Sequence, residues 1–273
     1  MKVVILAGGL GTRLAEYTQT IPKPMVKIGK FPIVIHIMGH YLKYGLKDFI
    51  LATGYKNQVF KKYFKNFKSF GKPFETKIFK KKCSITLVNT GLNTLTGGRL
   101  KRIKNFITDE SFMFTYGDGV SDINLKKLLS FHLKNKKMIT VTAVRPPARF
   151  GEIVIENNKV TSFIEKPQVT NGWINGGFFI ANKGFFKLIR GDKEILEKRP
   201  LELACKKKEL AAYKHEGFWK CMDVKRDRDE LEKIFKKWKI KLEKILKTKK
   251  SLLLGIQDLK VRGYLFGCKI VEL

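Results

Sequence analysis

The stretch Lys2-Val3-Val4-Ile5-Leu6-Ala7-Gly8-Gly9-Leu10-Gly11-Thr12-Arg13 decides the fold. Its apolar half is continuous rather than alternating, so both faces of the segment are expected to be buried, as in a central parallel strand. The glycines that end it let backbone N–H groups approach a guest closely, and a helix starting there would favour negative charge. Arg13 adds a forked donor suited to phosphate oxygens. A polyphosphate is the guest that such a loop suits. Neither GxGxxG nor GxxxxGK[ST] is present, which disfavours the dinucleotide folds and the P-loop. A plain tight turn would use the same glycines.

Comparable apolar runs recur at residues 49–53, 85–89, 112–116, 139–144 and 177–180. Helical spacing separates several of them: Ile33, Ile37, Tyr41 and Leu42 before the second run, and Leu125, Leu128, Leu129 and Leu133 before the fifth. Strand and helix in alternation predict an α/β fold, a Rossmann-like, doubly wound sheet that is mixed but mainly parallel. Residues 145–176 break the rhythm with prolines, glycines and short alternating segments, and read as an inserted small β section facing the substrate. Lysine-rich residues 61–82 read as an exposed connection. Beyond Arg226, Leu231, Ile234, Phe235, Trp238, Leu242, Ile245 and Leu246 fall at helical spacing among lysines, predicting a basic amphipathic helix. The expected organisation is a catalytic domain over 1–228 and a helix with a tail over 229–273.

Charge invites a different reading. The 273-residue chain carries 56 Lys and Arg against 24 Asp and Glu, a net +32. That excess is spread along the chain, whereas a nucleic-acid footprint clusters on one face and brings a reading motif. No such motif is found, and a compositional bias of the genome accounts for the lysines, so no nucleic-acid partner is expected. Aromatics at 12% and repeated apolar runs supply a core, which excludes disorder for most of the length. No run reaches the roughly 18 apolar residues of a membrane span, and the amino terminus reaches Gly8 too soon for a signal peptide, so a cytoplasmic protein is expected. Cys83, Cys205, Cys221 and Cys268 lack CxxC spacing and suggest neither zinc nor disulfides. His36, His40, His132 and His215 show no ligand or triad spacing and read as structural.

Two further motifs carry chemistry. Pro22-Lys23-Pro24-Met25 holds a lysine between two stiff residues, a fixed cation able to point back at the same phosphates. A proline-lined loop with a solvated lysine would look the same. Tyr116-Gly117-Asp118-Gly119 closes an apolar strand and places a carboxylate where open α/β sheets bind ligands, with Mg²⁺ the expected ion. A carboxylate capping the next helix is the alternative.

These blocks, in this order, resemble the sugar-1-phosphate nucleotidylyltransferases from Met1 to about Asp227. Thr96-Gly97-Gly98-Arg99-Leu100-Lys101-Arg102, Gly117-Asp118-Gly119-Val120, Glu165-Lys166-Pro167, Asn175-Gly176-Gly177-Phe178-Phe179, and Gly217-Phe218-Trp219 with Met222-Asp223 extend the likeness. Glu165-Lys166-Pro167 marks the whole superfamily, whereas Thr96-Gly97-Gly98-Arg99-Leu100, Gly117-Asp118-Gly119-Val120 and Asn175-Gly176-Gly177-Phe178-Phe179 narrow the likeness towards the cytidylyl branch. The resemblance implies transfer of a cytidylyl group from CTP to glucose 1-phosphate, giving CDP-glucose and pyrophosphate. It implies that Leu6, Ala7, Gly8, Gly9, Leu10, Gly11 and Thr12, with Arg13 and Lys23, hold the triphosphate, and that Thr94, Arg99 and Gly117 face the cytidine. Asp118 and Asp223 would share Mg²⁺. Lys166 and Glu165 would serve the sugar phosphate, and Asn175 and Gly176 the sugar hydroxyls. Arg13, Lys23, Asp118 and Asp223 would be the catalytic set, in a homo-oligomer. Residues 65–82 are shorter than in relatives, and beyond Trp238 the likeness fades. Two competing readings remain at this level: another nucleotidylyltransferase using UTP or dTTP, or a basic protein binding nucleic acid or an anionic membrane.

Overall fold

The computed structural model describes residues 1–145, 152–156, 159–164, 172–252, 264–265 and 268–269. An eight-stranded sheet organises the chain. Its strands are β1 (Lys2–Ala7), β2 (Asp48–Thr53), β3 (Pro73–Ile78), β4 (Lys81–Asn89), β5 (Ser111–Tyr116), β6 (Ile139–Val144), β7 (Ile174–Asn182) and β8 (Leu210–His215). They lie in the order β8-β6-β7-β5-β1-β2-β4-β3. β1 runs parallel to β2 and β5, β2 to β4, and β6 to β8.

Continuous apolar strands fill both faces. Val3, Ile5 and Ala7 of β1 enter one buried cluster, Val4 and Leu6 the other, as the two-residue period of a strand requires. On the first face pack α1 (Ile33–Lys43) and α3 (Leu125–Asn135); on the second, α2 (Thr96–Arg102) and α4 (Arg199–Lys206). The start of α3 is capped by Asn124, whose side chain accepts from Lys127 N–H at 3.0 Å, and its end is marked by Lys136 in the left-handed region, φ 50°. The second face is dense in aromatics: Phe114 stacks on Phe179 at 4.4 Å and Phe112 on Phe186 at 5.1 Å. Each buried ring contributes about 1.5–3 kcal/mol from area alone.

Two expectations need correction. The run 177–180 belongs to β7, which is antiparallel to both β5 and β6. Its side chains are buried on both faces like those of a parallel strand, because unbroken hydrophobicity reports burial and not direction. Residues 61–82 are more than a connection, since they contain β3, the edge strand of an antiparallel hairpin with β4. Phe74 and Ile78 point inward while Pro73 and Glu75 are exposed, and charge and proline on an edge protect it from pairing with another chain. The inserted section contains the expected small β element, an antiparallel hairpin of Glu152–Glu156 and Lys159–Ile164.

The basic helix is α5 (Lys225–Leu252). Asp227 caps its start by accepting from the N–H groups of Asp223 and Val224, each at 3.0 Å. Leu231 and Phe235 are buried in the core, and Glu232 accepts from Gly29 N–H at 2.8 Å. Gly29, at φ 61°, is required there because a Cβ would lie 2.4 Å from the Phe235 ring. The first turns of the apolar face therefore pack on the sheet domain. Among the described residues no helix is long and apolar enough to cross a membrane.

Candidate active site

Register brings the carboxyl ends of the central strands to one line: Ala7 pairs with Thr53, Thr53 with Asn89, and Leu6 with Tyr116. The loops leaving these strands wall a cavity of about 960 Å³. Leu6, Ala7, Gly8, Gly9, Gly11, Thr12 and Arg13 line it from the first loop, with Gly11 in the left-handed region at φ 68°. Leu10 does not line it, and its side chain is exposed. Thr94, Arg99, Gly117, Asn175 and Gly176 are on its walls, together with Lys23, Asp118 and Asp223. Glu165 and Lys166 lie outside the described residues.

One wall is ionic. Lys23, whose loop begins a short helical turn at Lys23–Met25, puts its Nζ 2.7 Å from Asp118 Oδ2 and 3.0 Å from Asp223 Oδ1. Arg13 reaches Asp223 Oδ2 at 2.6 Å. Burial alone would push the Lys23 ammonium down, but the charge and hydrogen bond of Asp118, with Asp223 adding to them, outweigh it and leave the group above its ordinary value. A two-stranded ribbon fixes the separation of the two acids. Gly119–Ser121 pairs antiparallel with Trp219–Cys221, and Met222 N–H donates to the Asp118 carbonyl at 2.9 Å. Between them Cys221 is held neutral, its thiol pushed up by burial and then by Asp118.

Asp118 and Asp223 offer only carboxylate oxygens, the donor set of a hard divalent cation. Among the described residues no cluster of three or more His, Cys, Asp and Glu converges. Two carboxylates are nonetheless what a cation needs when substrate phosphates and water complete its shell.

Arg99 sits differently. Although the sequence allows a solvated face for it, the side chain is 4% exposed. Its guanidinium donates to Thr90 Oγ1 at 2.7 Å and to the carbonyls of Gly91, Leu92 and Thr53 at 2.7, 3.2 and 3.3 Å. No carboxylate is among these acceptors. Burial, with Arg102 adding to it, pushes the group down to about 10, still charged at neutral pH. The guanidinium also lies under the first loop, where a Cβ on Gly8 would come within 2.2 Å of it. Gly8 is thus demanded by Arg99 as much as by a guest.

Several wall residues were assigned no role from the sequence. Tyr116 donates to Glu197 Oε1 at 2.5 Å and receives Asn175 Nδ2 at 3.3 Å. Burial and then Glu197 push the Tyr116 phenol up, so it stays a donor. Trp219 donates from Nε1 to the Gly176 carbonyl at 2.7 Å, and Lys220, Arg226 and Glu230 close the ionic side. Tyr116 and Trp219 belong to the motifs Tyr116-Gly117-Asp118-Gly119 and Gly217-Phe218-Trp219, which is the signal for them, whereas Glu197 lies in an ordinary charged turn. The histidines are structural: His132 bridges Thr140 Oγ1 at 2.8 Å and Asn182 Oδ1 at 3.0 Å, and His36 meets the Ile28 carbonyl at 2.9 Å. His215 bonds Asp122 at 3.0 Å, and His40 is buried.

A glycine-rich loop at the carboxyl end of the first strand of a mainly parallel sheet, with cations and paired acids beside it, is the arrangement of an α/β protein that handles nucleotide phosphates. Comparison with known proteins makes this specific, because the chain belongs to the nucleotidyl transferase family, whose model matches residues 2–224. It is 44% identical over 250 residues to glucose-1-phosphate cytidylyltransferase of Salmonella typhi, covering 88% of this chain and 97% of that one. A probable glucose-1-phosphate cytidylyltransferase of Bacillus subtilis (strain 168) is 38% identical over 261 residues, covering 88% and 100%. Among solved structures, HddC from Yersinia pseudotuberculosis complexed with GMP-PN superposes with a TM-score of 0.66 at 25% identity, covering 86% of this chain and 99% of that one.

Proposed function

We propose that the protein transfers a cytidylyl group from CTP to glucose 1-phosphate, releasing pyrophosphate and forming CDP-glucose. The observation that carries the proposal is Lys23 held between Asp118 and Asp223 at the open edge of the first loop, with Arg13 on the second acid. Its substrate assignment is supported by 44% identity to glucose-1-phosphate cytidylyltransferase over nearly the whole length of that protein.

Loop amides of residues 6–12 receive the triphosphate, whose negative charge draws Lys23 and Arg13 from the carboxylates to phosphate oxygens. Asp118 and Asp223 are then free to hold Mg²⁺, which supplies charge neutralisation on the phosphates when bound. Lys166 meets the sugar phosphate, and Asn175 and Gly176 face the sugar. A phosphate oxygen of the sugar 1-phosphate attacks the α-phosphorus as the bond to pyrophosphate breaks. That oxygen is already ionised at neutral pH, so the chain need supply no nucleophile or general base, and the neutral Cys221 thiol offers none. Alignment and charge compensation carry the rate. Assembly as a homo-oligomer is part of the proposal.

The test is product analysis. With CTP, glucose 1-phosphate and Mg²⁺, mass spectrometry is expected to find CDP-glucose and pyrophosphate in equal amounts, with an ¹⁸O label in the sugar's bridging oxygen retained. Loss of that label, or no product without a covalent enzyme intermediate, would contradict direct attack.

A further inference from the structure

The mechanism gives no task to Glu197, a cavity carboxylate whose hydrogen bonds come from neutral hydroxyls, whereas Asp227 and Glu230 on the same wall are paired with Lys220. It is held in place with unusual thoroughness. The segment that carries it, residues 189–198, is docked along α2. Leu95 N–H donates to the Asp192 carbonyl at 2.8 Å and Gly97 N–H to the Glu194 carbonyl at 3.0 Å. Lys101 donates to the Ile189 and Arg190 carbonyls at 2.6 and 2.7 Å, and Arg102 forks onto Asp192 at 2.8 and 2.5 Å. The approach is so close that a Cβ on Gly98 would stand 2.4 Å from the Asp192 carbonyl oxygen. The motif Thr96-Gly97-Gly98-Arg99-Leu100-Lys101-Arg102 is therefore, in large part, a seat for this segment.

Its end product is one oriented side chain. Glu197 Oε1 accepts from Tyr116 Oη at 2.5 Å and Oε2 from Thr96 Oγ1 at 2.7 Å, while Leu196 N–H donates to Thr96 Oγ1 at 2.9 Å and fixes that hydroxyl's direction. Each carboxylate oxygen retains capacity for a further donor. An acceptor-only anion facing a cavity repels phosphate and suits O–H donors. The groups at its side, the Tyr116 hydroxyl and Asn175, are neutral hydrogen-bonding groups that suit the same kind of guest.

We propose that Glu197 is a specificity-determining residue that accepts a ring hydroxyl of the sugar 1-phosphate, and that Thr96 is the residue that positions its carboxylate. The inference rests on the proposed function for the identity of the sugar substrate. It makes α2 a bridge, with Arg99 on the loops around the first substrate and Thr96 holding the group that reads the second.

The experiment is steady-state kinetics with glucose 1-phosphate and its 2-, 3-, 4- and 6-deoxy analogues, each with CTP, on the wild type, Glu197→Gln, Thr96→Val and Thr96→Ser. In the wild type, one deoxy analogue is expected to lose about tenfold or more in kcat/KM, the worth of a hydrogen bond to a charged group. In Glu197→Gln the KM for glucose 1-phosphate rises by a similar factor, the KM for CTP moves less than about twofold, and the penalty for that analogue disappears. Thr96→Val shows the same pattern more weakly, and Thr96→Ser restores it. Deoxy penalties that persist unchanged in Glu197→Gln, or a rise in the KM for CTP in place of that for the sugar, overturn the proposal. If Glu197→Gln fails to fold, as melting would reveal, equal impairment in Thr96→Val and Thr96→Ser overturns it. A wild type without turnover overturns the proposed function, and this inference with it; an active wild type with unaltered penalties in the variants overturns this inference alone.

Discussion

Lys23 and Arg99 are two cations on one cavity, and they live in opposite surroundings. Lys23 lies between Asp118 and Asp223, which hold it charged above its ordinary value. Arg99 is more deeply buried, its hydrogen bonds go to a hydroxyl and three carbonyls, and burial with the Arg102 charge pushes it down to about 10. A lysine is a point charge on a flexible stem, able to change partners; a guanidinium with its fork filled is a brace. The contrast separates a cation held by exchangeable ion pairs from one that is part of the frame. Arg99 shapes the loops after β2 and β4 and sets the space under Gly8.

The largest expected effect falls on the ionic wall. Lys23→Ala and Asp118→Ala are each expected to lower kcat by about a thousandfold or more while the far-ultraviolet spectrum and cooperative melting persist, because the groups act on charge in the transition state. Wild-type-like turnover in either would erase the distinction. Next comes the frame. Arg99→Lys loses the fork and leaves buried acceptors unmet, so a loss of about 3 kcal/mol or more in stability is expected, read by denaturant unfolding at constant m-value. A variant of unchanged stability would show that the filled fork does not brace these loops.

A third prediction concerns a buried group away from both walls. His40 packs against the rings of Tyr41, Tyr44 and Phe178, and burial, with Lys43 adding to it, pushes it down to about 4. The unfolded chain binds this proton at higher pH than the folded one, so stability is complete above about 6.5 and lost as pH falls towards 4. His40→Phe is expected to flatten the melting temperature across that window; an unchanged slope would assign the acid sensitivity elsewhere. The smallest effect belongs to the dispersed charge. If the net +32 steers anionic substrates, raising salt from about 0.05 to 0.5 M lowers kcat/KM a few-fold and leaves kcat alone.

Much of this was legible from the chain. β1, β2, β5 and β6 follow from unbroken apolar runs, and α1 and α3 from helical spacing, because those patterns record burial directly. The direction of β7 was not, since a buried strand looks the same either way. Arg13, Lys23 and Asp118 stand in short motifs whose geometry is local. Glu197 was hidden because its meaning comes from Thr96 and Tyr116, which are far away in sequence. Arg99 was found on the cavity wall, but its hydrogen bonds to Thr90 and to the carbonyls of Thr53, Gly91 and Leu92 were not legible, because spacing shows where an arginine is and not what fills its fork.

The most direct test of the central claim is kcat/KM for CTP, UTP, dTTP and GTP, each with saturating glucose 1-phosphate and Mg²⁺. A preference for CTP of at least about tenfold is expected, the scale of one or two base-reading hydrogen bonds. Better use of UTP, dTTP or GTP, or no pyrophosphate release with any of them, would contradict it.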